Sequence, residues 1–562
     1  MNTPELLATA QAWLEQDPDE ETRRELSDLI AEASSGSTTA IEHLHDRFDT
    51  RLAFGTAGLR GELGAGPNRM NRVLVSQAAA GLAAWLLENR GEPQPSIVIG
   101  YDGRKNSAIF AKDTAELMAG AGIHAVILPR LLPTPVLAFA VRHLNASAGV
   151  MVTASHNPAA DNGYKVYLGG QDHGSQIIPP VDAEIAAHIQ SVAAGSIRNL
   201  PRATTYEVAS DTVAEAYIAQ TARVATTQAD RTRVSYAYTA MHGVGWKTAE
   251  AVFHRTGFAA PVVVAEQRDP DPTFPTVAFP NPEEPGALDR AFATARAANV
   301  DLVIANDPDA DRLAVAIPDP NSADGYRRLS GNEVGALLGW RAAQRAYESD
   351  EEQGTLACSI VSSPALAQVA SDYNLDVADT LTGFKWVSRA PGLIFGFEEA
   401  LGYLVNPDTV RDKDGISAAV AILDLANELA TAGNTLAGQL DAFAMKFGYF
   451  ASEQISLRVT DLNDITTIMT RLREQPPSSV GDVRVDHIDD LRDGFGALPP
   501  SDVLRILLED GSRVMVRPSG TEPKLKIYVD ASSADGTLAD RRAEATRRVE
   551  ALGAAMRELT RP

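Results

Sequence analysis

Short apolar runs alternate with helical periodicity along most of this chain. Ile97-Val98-Ile99 leads into the polar stretch Gly100-Tyr101-Asp102-Gly103-Arg104, and a helical pattern follows from about Ser107 to Leu117. Another apolar run, Ala125-Val126-Ile127-Leu128, comes next, then Gly149-Val150-Met151-Val152. Later strand-like runs are Val234 to Tyr238, Val262-Val263-Val264, Leu302-Val303-Ile304 and Leu356 to Val361. Strands alternating with helices predict α/β layers with parallel or mixed sheets. In such layers the chemistry collects in loops at the carboxyl ends of strands. The last hundred or so residues have another rhythm. Val503 to Leu508, the turn Glu509-Asp510-Gly511-Ser512 and Arg513 to Val516 predict an antiparallel hairpin, because Asp-Gly suits a tight turn. A helical tail from about Leu538 to Leu559 completes an α+β module. Polar stretches bearing Pro and Gly near 225–232, 318–330 and 440–452 are candidate seams, and no short repeat or low-complexity segment interrupts the pattern.

Length sharpens this picture: 562 residues exceed what one hydrophobic core serves, so three to five domains are expected. A net charge of −24 opposes association with nucleic acid or anionic membranes, since the summed field repels polyanions. The single cysteine, Cys358, excludes an intrachain disulfide and any multi-cysteine metal site. No apolar run is long enough to span a bilayer, and the acidic, amphipathic start of the chain is unlike a secretory signal. A cytoplasmic location is expected from these features.

Four segments carry candidate chemistry. Asp307-Pro308-Asp309-Ala310-Asp311-Arg312 follows an apolar strand, and its three carboxylates at alternate positions can converge on one hard cation such as Mg²⁺. A solvated acidic turn would have the same composition. An EF-hand is excluded, because its sixth position would be Arg312 and its twelfth Pro318. Asp307 as a phosphate-accepting nucleophile stays open. Thr153-Ala154-Ser155-His156-Asn157-Pro158 also follows a strand. It has no GxSxG elbow, and neighbouring side chains are expected to point apart, so a Ser155–His156 nucleophile–base pair is not expected. Instead, Asn157 and Pro158 fix a turn behind a serine oxygen that stands free. Arg517-Pro518-Ser519-Gly520-Thr521-Glu522-Pro523-Lys524 combines a guanidinium, hydroxyls, a permissive backbone and a lysine, the inventory of a phosphate grip. Gly396-Phe397-Glu398-Glu399-Ala400-Leu401-Gly402-Tyr403 offers paired carboxylates for sugar hydroxyls, or equally a helix start.

In this order, over about residues 50–530, these segments resemble the α-D-phosphohexomutase superfamily of phosphoglucomutases, phosphomannomutases and related phosphopentomutases. Gly55-Thr56-Ala57-Gly58-Leu59-Arg60-Gly61 is similar to its N-terminal active-site loop. Phe274-Pro275-Thr276 with Pro280-Asn281-Pro282-Glu283-Glu284 resembles the subgroup of bacterial phosphoglucomutases and animal phosphopentomutase-like enzymes. The resemblance implies four domains round a central cleft, three similar α/β mixed-sheet domains and a C-terminal α+β domain. The expected bounds are 1–225, 226–326, 327–446 and 447–562. It implies a phosphosugar mutase that works through phosphorylated Ser155 and a bisphosphosugar, which also serves as activator, with one Mg²⁺ on Ser155, Asp307, Asp309 and Asp311. Lys165 would move the proton, Arg60 and Arg312 would steady phosphoryl oxygens, and His156 would be structural or phosphate-adjacent. Thr382, Gly383 and Lys385 would read the sugar, with Glu398, Glu399 and Lys413 as further substrate contacts. Arg517, Ser519, Gly520, Thr521 and Lys524 would hold the distal phosphate. Hexose-specific relatives read Glu-x-Ser where this chain has Glu398-Glu399-Ala400, so one hexose contact is missing and pentose phosphates become candidates beside glucose and mannose phosphates. A phosphatase using Asp307 and an inert sugar-phosphate-binding regulator are the competing readings. Small phosphosugars are the expected partners of a monomer or homodimer.

Overall fold

In the computed structural model, residues 1–89, 94–349, 353–459, 462–496, 498–519 and 524–561 are described. They form two compact units, Met1–Arg328 with Leu401–Glu428, and Leu329–Ala400 with Leu429–Pro562.

The first unit opens with three helices, Thr3–Gln16, Glu20–Ser34 and Thr38–Phe48, that share a small core of Leu6, Leu26, Leu44 and Phe48. The first begins at a reciprocal cap, in which the Asn2 side chain accepts from the Glu5 N–H and Glu5 accepts from the Asn2 N–H. Next comes a seven-stranded mixed sheet. Its centre is parallel: His124–Ile127 pairs with Ser96–Tyr101, which pairs with Ala148–Val152. Every residue of Ala148–Val152 is buried, which explains why the strand reads as an unbroken apolar run. Asp161–Leu168 then runs antiparallel to Ala148–Val152, and Leu59–Glu62 runs antiparallel to Asp161–Leu168. A second, five-stranded sheet repeats the plan. Leu302–Asn306 is parallel to Tyr236–Thr239, and Leu313–Pro318 returns antiparallel beside it. The serine segment and the aspartate segment therefore occupy equivalent places, each the turn between a buried parallel strand and its antiparallel neighbour. Both segments lie at the carboxyl end of a parallel strand, the place where chemistry is expected from the sequence pattern.

The second unit contains parallel strands in the order Asp376–Thr380, Thr355–Ser359, Leu393–Glu398. It also holds a six-stranded sheet paired antiparallel at each of its main ladders, including the expected hairpin Leu504–Leu508 with Arg513–Pro518. The tail helix Leu538–Leu559 starts at a Thr537–Asp540 capping box and lays Val549, Leu552 and Met556 against Val514, Val516 and Ile527. The architecture is thus α/β domains followed by a C-terminal α+β domain. Residues Gly396 to Glu398 belong to a strand, so the alternative of a helix start there is overturned: the buried run Phe395, Gly396 and Phe397 needs sheet partners. Among the described residues, no single helix is long and apolar enough to cross a membrane.

Candidate functional site

In the first unit the two equivalent turns meet. Ser155 has φ 52°, a left-handed conformation that a serine adopts only where surrounding contacts hold it. Its N–H donates to Thr153 Oγ1 at 2.8 Å, and its hydroxyl, 2% exposed as a residue, donates to Asp307 Oδ2 at 3.0 Å. His156 Nδ1 lies 3.2 Å from the same hydroxyl. The expectation that these neighbours point apart is therefore wrong, because the left-handed turn at Ser155 rotates the two side chains to one side. Burial first, then the Arg312 and Arg60 guanidiniums, push the His156 imidazole well below its usual value, so it stands neutral.

Asp307, Asp309 and Asp311 are all buried, and one carboxylate oxygen of each lies within 4.8 Å of the others. Lys165, on the strand Asp161–Leu168, donates to Asp309 Oδ2 at 2.8 Å and to Asp311 Oδ2 at 3.0 Å. Lys413 reaches Asp311 Oδ2 at 3.1 Å. Thr134 Oγ1 donates to Asp309 Oδ2 at 2.6 Å, and its N–H donates to the Asp309 carbonyl at 2.9 Å. Burial pushes all three carboxyls up. For Asp309 the Lys165 ammonium and the hydrogen bonds from Lys165 and Thr134, and for Asp311 the cations of Lys165, Lys413 and Arg312, together outweigh burial and hold both below the usual range. Asp307 faces two like charges as well as burial and is pushed well up. Asp309 Oδ1 and Asp311 Oδ1 are buried without a hydrogen-bond partner, which fits a cation held by carboxylate oxygen. The donor set thus suits a hard divalent ion, and the solvated-turn reading fails on burial.

Arg60 comes from the strand Leu59–Glu62 and donates to Asn157 Oδ1 at 3.1 Å. The loop before it depends on Gly58, whose φ is 75° and where a Cβ would sit 1.8 Å from the Tyr164 carbonyl oxygen. Arg312 lies 3.5 Å from Glu283 Oε2. Lys413 is flanked by two anchored carboxylates. Asp412 accepts from the Tyr167 hydroxyl at 2.9 Å, and Asp414 accepts from the Tyr217 hydroxyl at 2.9 Å. Of the expected residues, Arg60, Ser155, His156, Lys165, Asp307, Asp309, Asp311, Arg312 and Lys413 therefore lie in this unit, linked by these contacts.

In the second unit, Glu398 Oε1 accepts from the Gly383 N–H at 2.6 Å, so the strand end and the Thr382–Lys385 loop are joined. Gly383 has φ 109°, which presents that N–H to the carboxylate. Glu399 Oε2 accepts from Ser362 Oγ at 2.8 Å and Ser359 Oγ at 3.2 Å. Arg517 and Lys524 stand on adjacent antiparallel strands, and the Ser519 N–H donates to the Lys524 carbonyl at 2.8 Å. Gly520 and Thr521 lie outside the described residues. Sequence reasoning missed Thr134, Tyr167, Tyr217 and Ser362, since each touches the candidate site through a contact distant in sequence and carries no local motif.

Comparison with known proteins gives the family of the chain. Family models of phosphoglucomutase/phosphomannomutase match along the chain: alpha/beta/alpha domain I over residues 51–195, domain II over 215–320, domain III over 330–446 and the C-terminal domain over 469–548. A Haemophilus influenzae protein named "Probable phosphomannomutase" is 55% identical over 477 residues, covering 84% of this chain and 95% of that protein. The Homo sapiens protein named "Phosphopentomutase" is 35% identical over 576 residues, covering 94% and 91%. A solved phosphoglucomutase/phosphomannomutase family protein from Burkholderia thailandensis shares the fold with a TM-score of 0.67 at 20% identity, over 90% of this chain and 98% of that one. The chain belongs to the phosphoglucomutase/phosphomannomutase family, within the α-D-phosphohexomutase superfamily, and is a phosphosugar mutase, an isomerase.

Proposed function

We propose that this mutase interconverts 1-phospho and 6-phospho sugars, glucose or mannose phosphates, by passing a phosphoryl group through Ser155. The observation that carries the reading is the buried Ser155 hydroxyl set 3.0 Å from Asp307, beside carboxylates with orphaned oxygens. Asp307, Asp309 and Asp311, with an oxygen of the phosphorylated serine, would hold Mg²⁺. When bound, the ion neutralises charge on the phosphoryl oxygens.

In the first half-reaction the phosphorus–oxygen bond at Ser155 Oγ breaks as a bond forms to the sugar's free hydroxyl. The Lys165 ammonium gives a proton to Ser155 Oγ as the bond to phosphorus breaks and takes the sugar hydroxyl's proton in its place, so the lysine ends as it began. The bisphosphosugar then turns over and returns its other phosphate to Ser155. Arg60 and Arg312 steady phosphoryl oxygens, neutral His156 orients the serine hydroxyl, and Lys413 contacts substrate. Thr382, Gly383, Lys385, Glu398 and Glu399 read the sugar, while Arg517, Ser519, Gly520, Thr521 and Lys524 grip the distal phosphate. Each charge-assisted bond contributes roughly 1.5–3 kcal/mol, enough in sum to hold a dianion on a chain of net charge −24.

Intact mass spectrometry with peptide mapping tests the reading. One phosphate on Ser155 after incubation with glucose 1,6-bisphosphate is expected, and Ser155→Ala should lose isomerisation. Activity that survives Ser155→Ala, with inorganic phosphate released, would instead support a phosphatase centred on Asp307. Unchanged sugar-phosphate binding without any turnover would support the regulator.

A second reading, a mutase acting on pentose 1- and 5-phosphates, is favoured by Ala400, which cannot hydrogen-bond a hexose hydroxyl through its side chain. A site without that partner discriminates less against the smaller sugar. We expect kcat/KM for ribose 1-phosphate within about a thousandfold of that for glucose 1-phosphate, short of the roughly 10⁴–10⁵ by which a site built to hydrogen-bond a hydroxyl rejects an analogue without it. A larger preference for glucose sinks the second reading.

A further inference from the structure

The turn that carries Ser155 directs its carbonyl groups inward, onto one side chain. Arg104, 5% exposed, donates through one terminal nitrogen to the Pro158 carbonyl at 2.7 Å and the Asp161 carbonyl at 3.0 Å. Through the other it donates to the Ser155 carbonyl at 2.6 Å and the Asn157 carbonyl at 2.5 Å. A guanidinium alone among side chains presents a planar fork able to bridge four acceptors in this way. Asp102, buried beneath, sets the fork: one oxygen accepts from the Arg104 N–H at 3.0 Å and from Ser107 Oγ at 2.7 Å, and the other stands 3.5 Å from Arg104 Nε.

The guanidinium of Arg104 lies over the ring of Phe274, whose centroid is 4.9 Å from the guanidinium carbon. Phe274 is 4% exposed, has φ 46°, and packs with Met241, Val277 and Ala287, with Ala159 of the serine turn against the same cluster. It belongs to the Phe274-Pro275-Thr276 segment, which the phosphoryl-transfer reading leaves without a task. That segment continues to Phe279, 6.4 Å from the His156 ring, and to Glu283 beside Arg312.

We infer that Arg104, roofed by Phe274, is a positioning residue that locks the left-handed turn at Ser155 and so aims its hydroxyl. The inference rests on the reading of Ser155 as the phosphate carrier. One carbonyl that Arg104 grips belongs to Ser155 itself, so that bond fixes the backbone from which Oγ projects toward Asp307. The roof comes from the same part of the chain as the aspartate loop, to which it is tied: the Val244 N–H donates to the Pro308 carbonyl at 2.8 Å, and the His242 carbonyl accepts from the Asp271 N–H at 3.0 Å. Serine and carboxylates are thereby held in register from both sides.

The test compares the full-length Arg104→Lys, Phe274→Leu and Phe274→Tyr variants with the parent chain. Ser155 phosphorylation by glucose 1,6-bisphosphate is followed by intact mass, together with kcat and KM on glucose 1-phosphate and the thermal midpoint. Lysine offers a point charge in place of a fork, and leucine keeps an apolar side chain but loses the ring face. Both should slow Ser155 phosphorylation and lower kcat about 100-fold, the scale of a small misplacement at a reacting group, with KM within about threefold. Phe274→Tyr should restore the parent rate. Variants that melt earlier but keep the parent kcat would overturn the inference, as would a raised KM at constant kcat. If Arg104→Lys does not fold, the Leu and Tyr pair at Phe274 decides it. A parent chain that takes no phosphate at Ser155 refutes the carrier reading. A parent that does, with variants equal to it, refutes the clamp alone.

Discussion

Ser155, Asp309 and Thr134 show how single side chains acquire their roles from contacts across the fold. Thr134 stands 175 positions from Asp309 in sequence, yet its hydroxyl fixes one oxygen of that carboxylate and leaves Oδ1 turned away and unpartnered. A donor to a metal-ligating carboxylate orients it, and losing such a donor costs about 10–100-fold in metal affinity. Thr134→Val should therefore weaken Mg²⁺ binding by that factor, measured by calorimetric titration, while the thermal midpoint without metal stays close to the parent value. Unchanged affinity would show that Thr134 only fills space. The Asp-x-Asp-x-Asp spacing is legible in consecutive residues. The burial that separates a metal cluster from a solvated turn is not, because solvent exposure depends on what packs above the loop. The same holds for His156, whose contact with Ser155 follows from one backbone angle that no residue pattern announces.

Among the elements, the helix Gly415–Thr431 shows how a helix terminus sets up a site. Asp414 accepts from the N–H groups of Ile416 and Ser417 at 3.0 Å each and from Tyr217, and it places Lys413 at the mouth of the helix. Burial raises its carboxyl from 3.8 to about 6, against the opposing pull of those hydrogen bonds. The folded chain therefore keeps a proton that the unfolded chain has lost once the pH passes about 4. Stability from this group is full below that point, falls as pH rises to about 6, and is then lower by roughly 3 kcal/mol. Relative to the parent, Asp414→Asn should gain stability across that window and hold the gain above it, as read by urea unfolding at several pH values. A difference constant in pH would refute the assignment. Strands such as Leu302–Asn306 are visible as apolar runs, because both faces are buried. The strand Asp161–Leu168, which carries Lys165, is not, since Asp161-Asn162-Gly163 at its start has no apolar pattern.

For the molecule as a whole, the opposition between a net charge of −24 and an anionic substrate is met locally. Lys165 and Lys413 stand on the aspartate cluster, with Arg60 bonded to the serine turn and Arg312 beside Asp311. A divalent ion that binds only the folded cluster stabilises it by mass action, by about 2.7 kcal/mol at a hundredfold excess over its Kd. Removing metal with a chelator should abolish isomerisation and lower the thermal midpoint. Mg²⁺ should restore both, and Asp307→Asn should remove the midpoint response. A parent midpoint indifferent to Mg²⁺ would place the ion elsewhere.

The sequence by itself determined the class of fold, the family and the residue types of the candidate site. Apolar runs, turn residues and the spacing of carboxylates are local properties written in consecutive positions. Tertiary structure decided which of those residues share a contact: Ser155 with Asp307, Lys165 with Asp309 and Asp311, Arg104 with four carbonyls of the serine turn. The physical reason is that burial, hydrogen-bond partners and a left-handed backbone angle are set by packing between segments far apart in the chain, and packing has no local signature.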